Sequence, residues 1–288
     1  MRDSLHMLAS RRGLGLLALN GLAAFGLLSA VVQLITAIWH FDHGLRHPWL
    51  IALGIVAVSL AWALARAFPR RRIECRFRHP EMAVTLTVGD LFEQRAHLVV
   101  GFSDTFDTDT TDNLIINSSS LQGQLLDRLY GGDLVRLDRE LEDALDHVPV
   151  ESVEPPDQKG HGKRARYPIG TVATLGTPRR RIFAVAYARM GNNLIANADL
   201  DTLWLGLSRT WDAIRLYGQR QRIAIPVMGS EYARISTLDR EHLLKLILLS
   251  FVACSRERSI APELIAVIHP RDYDRINLLE VEAFLRAL

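Results

Sequence analysis

The sequence predicts an α/β protein in which an N-terminal two-helix transmembrane hairpin precedes a three-layer α/β/α domain with a mixed sheet. Two uncharged runs, residues 13–39 and 48–65, predict the hairpin. After residue 72 the pattern changes to alternation with a period of two, and apolar strands then alternate with amphipathic helices as far as the C-terminus. Strands that alternate with helices favour a sheet covered by helices on both faces.

The hairpin prediction rests on length. A helix rises about 1.5 Å per residue, so about 20 apolar residues cross the ~30 Å hydrocarbon core of a bilayer. We place the helices at about residues 13–39 and 48–68 and the hairpin domain at residues 1–68. A cleaved signal peptide has an apolar core of only ~7–15 residues, so an anchor is favoured over a signal peptide.

The placement of arginines predicts the orientation of the hairpin. Arg2, Arg11 and Arg12 precede the first helix, and an arginine cluster at residues 66–72 follows the second. The positive-inside rule therefore puts both termini in the cytoplasm. The connecting loop at residues 40–47 holds three histidines, but no carboxylate or cysteine geometry supports a metal site, and we expect no metal there.

One face of the first helix is small and polar. Gly26, Ser29, Gln33 and Thr36 recur at helical spacing. Such a face allows close helix approach, and a glutamine in lipid needs a hydrogen-bond partner. Packing against the second helix and self-association between chains both explain the face.

The remaining chain divides into a linker, residues 69–79, and one domain, residues 80–288. The net charge of the whole chain is +2, which excludes a broad surface for nucleic acid, and we expect no nucleic-acid partner. Cys75 and Cys254 lie far apart in sequence, which argues against a disulfide framework.

Hydrophobic periodicity predicts the elements of this domain. Strands are expected at residues 73–77, 82–88, 97–102, 167–175, 181–189, 222–228 and 263–269. Helices are expected at residues 119–130, 134–145, 199–217, 241–254 and 278–288.

Three strand ends carry the residues suited to a ligand site: residues 88–91, residues 101–107 continuing to 118–123, and residues 225–234. In α/β sheets, ligands bind at the carboxyl ends of the strands. The second and third of these stretches combine glycine with hydroxyl residues before a helix, and exposed backbone N–H groups there can cradle phosphate. A solvated turn is the other explanation of Asp104, Asp107 and Asp109.

These stretches resemble the macro domain family, whose members bind ADP-ribose and related nucleotides. Gly89-Asp90-Leu91 is similar to the motif after the family's first strand, residues 118–123 to its phosphate loop and helix start, and residues 226–234 to its second phosphate loop. The resemblance implies that Asp90 contacts adenine. It implies a ligand site made of Asp90, Leu91, Phe102, Ser103, Asp104, Thr105, Phe106, Ser119, Leu121, Gln122, Gly123, Pro226, Gly229, Ser230, Glu231, Tyr232 and Arg234.

The departures from the family pattern favour a binder without catalysis. Hydrolytic members carry Asn-Ala-Ala-Asn where this chain has Gly-Phe-Ser-Asp-Thr-Phe at residues 101–106. We therefore expect no catalytic residue, metal or cofactor. The alternative is a membrane-tethered ADP-ribosyl or nucleotide hydrolase with Asp104 or Glu231 as its base. A third possibility is a structural adaptor that uses the basic turn at residues 177–181.

A macro domain behind a membrane hairpin resembles the transmembrane-macro effectors of Thoeris anti-phage defence. The resemblance implies a nucleotide signal, derived from ADP-ribose and made from NAD by a TIR-domain partner. It further implies a homo-oligomer in contact with membrane lipid, whose two helices per chain assemble in the cell inner membrane, disrupt it and kill the cell.

Overall fold

The computed structural model describes residues 11–39, 48–67, 71–229, 235 and 237–288. The chain divides into two compact units. The first consists of Met1–Arg70 and Asn277–Ala283, and the second of Arg71–Ile276 and Phe284–Leu288. The second unit therefore begins inside the segment that we expected to be a linker.

The first unit contains two long helices, α1 (Arg11–Trp39) and α2 (Pro48–Ala67), which contact each other. At Gly21, a Cβ atom would lie 3.6 Å from the Cβ of Ala63, so the helices approach closely there. By length and composition, Leu17–Ala37 could cross a membrane, whereas the apolar part of α2, Ala52–Arg66, is shorter. The two helices are as predicted, but only the first qualifies as a span among the described residues.

The small polar face of α1 does not pack against α2. Gln33 and Thr36 are exposed, and a Cβ atom at Gly26 would meet no heavy atom within 4 Å. Gly54 of α2 is equally open. Of the two explanations for this face, packing within the chain is therefore not what the described residues show.

The second unit is built on a mixed sheet, as predicted. Its strands are β1 (Arg72–Arg78), β2 (Glu81–Val88), β3 (His97–Ser103), β6 (Val172–Thr177), β7 (Arg180–Met190), β8 (Ala196–Asn197), β9 (Ile223–Pro226) and β10 (Glu263–Ile268). The order is β1-β2-β10-β9-β3-β7-β6, with β8 paired to β7. The five strands from β2 to β7 in this order run parallel, and β1 and β6 are antiparallel to their neighbours. Two short strands, β4 (Ser152–Val153) and β5 (Ala165–Arg166), form a separate ribbon.

Helices cover both faces of this sheet. They are α3 (Leu121–Tyr130), α4 (Leu134–Leu145), α5 (Leu200–Tyr217) and α6 (Arg240–Glu257). A further helix, α7 (Leu278–Ala287), follows them in the sequence, and short 3-10 turns lie at Thr111–Asn113 and Pro270–Arg275. Ala184 and Ala186 of β7 share a core cluster with α3 and α4. Val185 between them points the other way, because side chains alternate along a strand, and it lies against Gly206 of α5. The three-layer arrangement follows.

Strand β1 lies within the segment expected to be a linker, residues 69–79, and agrees with the strand predicted at residues 73–77. It pairs with β2 along its whole length, from Arg72 opposite Thr87 to Arg78 opposite Glu81. Ile73 is buried against the sheet, which is why the alternating pattern there forms a strand. The carbonyl of Arg71 also accepts a 2.9 Å hydrogen bond from the N–H of Val88.

An unusual connection joins β2 to β3. Residues 89–96, the crossover segment, link two parallel strands and contain no helix. Leu91 and Phe92 of this segment are buried in the core next to α3. The segment therefore carries the chain from the edge where the parallel strands end to the edge where they begin.

Candidate functional site

A cleft of about 470 Å³ lies where the parallel strands end, entirely within the second unit. We call it the carboxyl-edge cleft. Residues of four parallel strands, β3, β7, β9 and β10, contribute to its lining, together with Gly89 directly after the fifth, β2. The lining includes Gly89, Leu91, Gly101, Phe102, Ser103, Ile116, Asn117, Ser119, Leu121, Gln122, Tyr187, Met190, Ile195, Pro226, Met228, Gly229, Val267, His269, Arg271 and Asp272. Its volume is within the ~300–1,000 Å³ range of small-molecule sites.

The start of α3 offers backbone N–H groups to the cleft. Ser120 is the N-cap, and its hydroxyl accepts a 3.2 Å hydrogen bond from the N–H of Gly123. The first N–H groups of a helix have no partner within the helix, so those of Leu121 and Gln122, which line the cleft, remain available. The positive end of the helix dipole adds to their attraction for an anion.

Gly123 serves packing and not the ligand. Its N–H is taken by the cap, and a Cβ atom there would lie 2.5 Å from the carbonyl oxygen of Ser118. Only glycine lets the loop before α3 lie this close to the helix. Gly123, one of the predicted ligand residues, is therefore buried in the contact between loop and helix and is not among the residues that line the cleft.

The second loop follows β9. Gly229 lines the cleft with φ +77°, a left-handed conformation that favours glycine. Its carbonyl accepts a 3.0 Å hydrogen bond from the N–H of Ile235. Four of the predicted ligand residues in this loop, Ser230, Glu231, Tyr232 and Arg234, lie outside the described residues.

One wall of the cleft is apolar and comes from the end of β7 and the turn after it. Tyr187, Met190 and Ile195 line this wall. A Cβ atom at Gly101 would lie 2.4 Å from the ring of Tyr187, so glycine is needed there for the ring to lie across β3. An aromatic ring beside backbone donors can stack on a planar base while the donors hold a charged group.

The end of β10 places charged groups on the cleft. Asp272 is buried, and its carboxylate lies 2.9 Å from Arg240 Nε, which neutralises it. Arg271 is exposed and forms no ion pair with any described residue. The charge of Arg271 is therefore not offset on this side of the cleft and can attract an anion.

Asp90, the predicted adenine contact, is not among the lining residues, although Gly89 and Leu91 are. Its carboxylate is ion-paired with Arg128 and accepts a 2.7 Å hydrogen bond from the N–H of Phe92. Burial opposes ionisation of Asp90, but these two donors outweigh it and lower its pKa. The charged carboxylate is thus engaged by the protein itself.

Asp104, Thr105 and Phe106 lie behind the cleft and not in it. Asp104 is fully buried and accepts 2.8 Å hydrogen bonds from Arg166 Nη1 and from the N–H of Met190. Thr105 donates to Asp107, and Phe106 stacks on Phe102 with ring centres 5.7 Å apart. These three predicted ligand residues do not line the cleft, and each side chain is buried and partnered within the domain.

Asp107 is also buried, so the explanation of this stretch as a solvated turn is wrong for Asp104 and Asp107. Its carboxylate lies 3.0 Å from the ammonium of Lys159, which is fully buried. Gly162 touches the same carboxylate, since a Cβ atom there would lie 2.5 Å from Oδ1. This ion pair fastens the segment between β4 and β5 onto the end of β3.

Eight of the predicted residues do line one cleft: Leu91, Phe102, Ser103, Ser119, Leu121, Gln122, Pro226 and Gly229. The prediction missed the contributions of β7 and β10, notably Tyr187, His269 and Arg271. A signal was available, because the ends of parallel strands meet at one edge, and both strands are plainly apolar in the sequence.

The sequence of this domain matches a known protein family. The family model described as "Thoeris protein ThsA, Macro domain" matches residues 84–269, more than half of the chain. No protein with a curated description matches the chain.

Solved structures of the Oceanobacillus iheyensis macrodomain are similar to it. One point mutant of that macrodomain has 13% identity, covering 75% of this chain and 95% of that one at a TM-score of 0.47. The structure of that macrodomain with ADP is 11% identical in sequence and has a TM-score of 0.40. The match covers 76% of this chain and 99% of that one. Another point mutant, with ADPR, is 14% identical in sequence and has a TM-score of 0.42. The match covers 75% of this chain and 100% of that one. At these values no residue role is transferred.

Proposed function

Because the chain belongs to the Thoeris ThsA macro domain family, we propose that its carboxyl-edge cleft binds an ADP-ribose-derived signalling nucleotide. Binding would switch a membrane effector in anti-phage defence. The observation that carries the proposal is the meeting of two phosphate-cradling loops in one cleft: the start of α3 and the turn at Gly229.

The cleft suits the parts of such a nucleotide. A pyrophosphate needs N–H donors and positive charge, which Leu121, Gln122 and Arg271 supply. A flat base needs an apolar wall, which Tyr187 and Met190 provide. The adenine amino group would have to compete with Arg128 for Asp90, so we propose that the base meets the backbone at Gly89 and Leu91.

We propose sensing without catalysis. A hydrolase needs a base within reach of the distal ribose or of an attacking water. Asp104, one candidate base, is buried in an ion pair behind the cleft. The other, Glu231, lies outside the described residues, so the hydrolase remains the alternative to the binder that we propose.

The output would be assembly of the membrane helices. The exposed polar face of α1 supports association between chains, because its glutamine finds no partner on α2 among the described residues. We propose that both α1 and α2 reside in the inner membrane with cytoplasmic termini, in contact with lipid. A TIR-domain protein would supply the signal, which must favour the assembled state to shift the population.

Calorimetry with the full chain in detergent micelles tests the binding step, with ADP-ribose as the probe. Gly89 lines the cleft and has open space around its Cβ position, so Gly89→Phe should obstruct the cleft without a clash. Gly160 is equally open but does not line the cleft, which makes Gly160→Phe the matched control. We expect binding by the wild type and the control but not by Gly89→Phe. Folded protein that binds no ADP-ribose derivative would sink the proposal.

A further inference from the structure

A second cavity lies at the opposite edge of the same sheet, where the parallel strands begin. This amino-edge pocket has a volume of about 420 Å³. It is lined by the end of the crossover segment and the starts of β3, β7 and β9: Phe92, Glu93, Gln94, Arg95, Ala96, His97, Arg179, Arg180, Gln221 and Arg222. It shares no lining residue with the carboxyl-edge cleft.

Four arginines dominate the charge of this pocket. Arg95 and Arg179 are exposed and form no ion pair with any residue in the described ranges. Arg222 Nε lies 3.1 Å from Glu263, which offsets its charge. Glu93 is the one acidic side chain among the lining residues, so the balance of the pocket is positive.

One donor in the pocket wall is buried and has no hydrogen bond: Arg180 Nε has no partner among the described residues. His97, also in the pocket wall, is 1% exposed and is partnered within the domain. Its Nδ1 accepts a 3.0 Å hydrogen bond from the N–H of Arg181, and the carbonyl of Gly218 approaches the imidazole as the partner of Nε2. Buried donors are rarely left unpaired, so an acceptor from outside the chain is indicated for Arg180 Nε.

We propose that the amino-edge pocket is a second ligand site, and that it binds a phosphate-bearing anion between Arg95 and Arg179 with Arg180 at its base. Guanidinium groups present paired donors that match phosphate oxygens. Arg180 is preorganised for this, because its Nη2 already donates to the carbonyl of Phe92. A free phosphate compound and a lipid headgroup share this chemistry.

Inorganic pyrophosphate is the probe for a free ligand, titrated calorimetrically into the full chain in nanodiscs of neutral lipid. We expect Arg95→Ala/Arg179→Ala, introduced into the Gly89→Phe chain so that the other cleft is obstructed, to weaken pyrophosphate binding at least tenfold, because each substitution removes charge-assisted hydrogen bonds. Arg78 and Arg139 are also exposed and lie outside the pocket. The double variant Arg78→Ala/Arg139→Ala removes the same charge and should bind like the wild type.

Two further arms identify the site and the source of the phosphate. Gly89→Phe, which obstructs the other cleft, should still bind pyrophosphate. Co-sedimentation of the nanodiscs with phosphatidylglycerol vesicles, and with neutral vesicles as a control, tests a headgroup. Binding of either probe that depends on Arg95 and Arg179 supports the site. The probe that binds shows whether the phosphate belongs to a free compound or to a lipid headgroup. Binding of neither probe, equal weakening in both double variants, or loss of pyrophosphate binding in Gly89→Phe would overturn the proposal.

Discussion

Asp104 Oδ2 accepts a 2.8 Å hydrogen bond from Arg166 Nη1, and the carboxylate is completely buried. The guanidinium of Arg166 also pairs with Glu154. Burial lowers the pKa of Arg166, but its bonds to Glu154 and Asp104 outweigh this and raise it. A residue that looks like a ligand contact in the sequence thus holds the ribbon of β4 and β5 against the end of β3.

Removing this carboxylate should cost stability. Asp104→Ala leaves Arg166 with only Glu154 and Asn192 as partners and takes away the acceptor of the Met190 N–H. Breaking a buried pair costs about 3–5 kcal/mol. Because Glu154 remains, we expect the lower end of that range in urea unfolding. Asp127→Ala, an exposed position on α3, should change the free energy of unfolding by less than about 0.5 kcal/mol. If Asp104→Ala instead has wild-type stability and fails to bind ADP-ribose, Asp104 is a ligand contact and the prediction is wrong.

Gly123→Ala tests whether the start of α3 shapes the cleft. The new methyl would lie 2.5 Å from a backbone carbonyl, so the loop at residues 117–118 must shift. We expect a loss of about 1–3 kcal/mol from overpacking, with weaker ADP-ribose binding because Asn117 and Ser119 line the cleft. Gly160→Ala meets no neighbour and should alter neither measurement. Unchanged affinity in Gly123→Ala would separate this loop from the ligand site.

His97 should make stability depend on pH. Burial, with help from Arg181, lowers the pKa of His97 in the folded protein. Below the unfolded pKa of about 6.5, the unfolded chain binds the proton and the folded chain does not, so stability falls as pH drops from there. In His97→Asn, an amide oxygen can replace Nδ1 as the acceptor, and the histidine contribution disappears. The free energy of unfolding, measured between about pH 5 and 8, should therefore change less with pH in the variant than in the wild type. An equal dependence on pH in both proteins would contradict the prediction.

Gln33→Leu tests the output of the proposed switch. If Gln33 mediates contact between chains, its loss should leave ADP-ribose binding intact and reduce signal-dependent dye leakage from cells. Asn20→Leu removes an amide off this face of α1 and should leak like the wild type. Unchanged leakage in Gln33→Leu would reduce the hairpin to a tether.

Much of the fold was predictable because its signals are local. The strands of the parallel sheet are apolar runs, and β3, β9 and β10 are buried almost throughout. Helix starts were similarly readable: α5 begins after Asp199, whose carboxylate caps the N–H of Thr202 at 2.8 Å.

The site was predictable only in part, because its remaining features depend on distant contacts. Arg166 lies 62 positions from Asp104 in the sequence, and no local pattern shows that they pair. The same holds for Arg128, 38 positions from Asp90. The strand at residues 73–77 was predicted from its alternating pattern, but its pairing with β2, which joins it to the sheet, is a contact that the local pattern does not show.

The crossover segment ends on the two cavities of the sheet, with Gly89 and Leu91 in one and residues 92–96 in the other. Arg128 holds its first half through Asp90, and Arg180 holds its second through the carbonyl of Phe92. The same short segment therefore contributes to the lining of both cavities. If occupancy of one cavity displaces this segment, linkage requires that each ligand change the affinity of the other by the same factor.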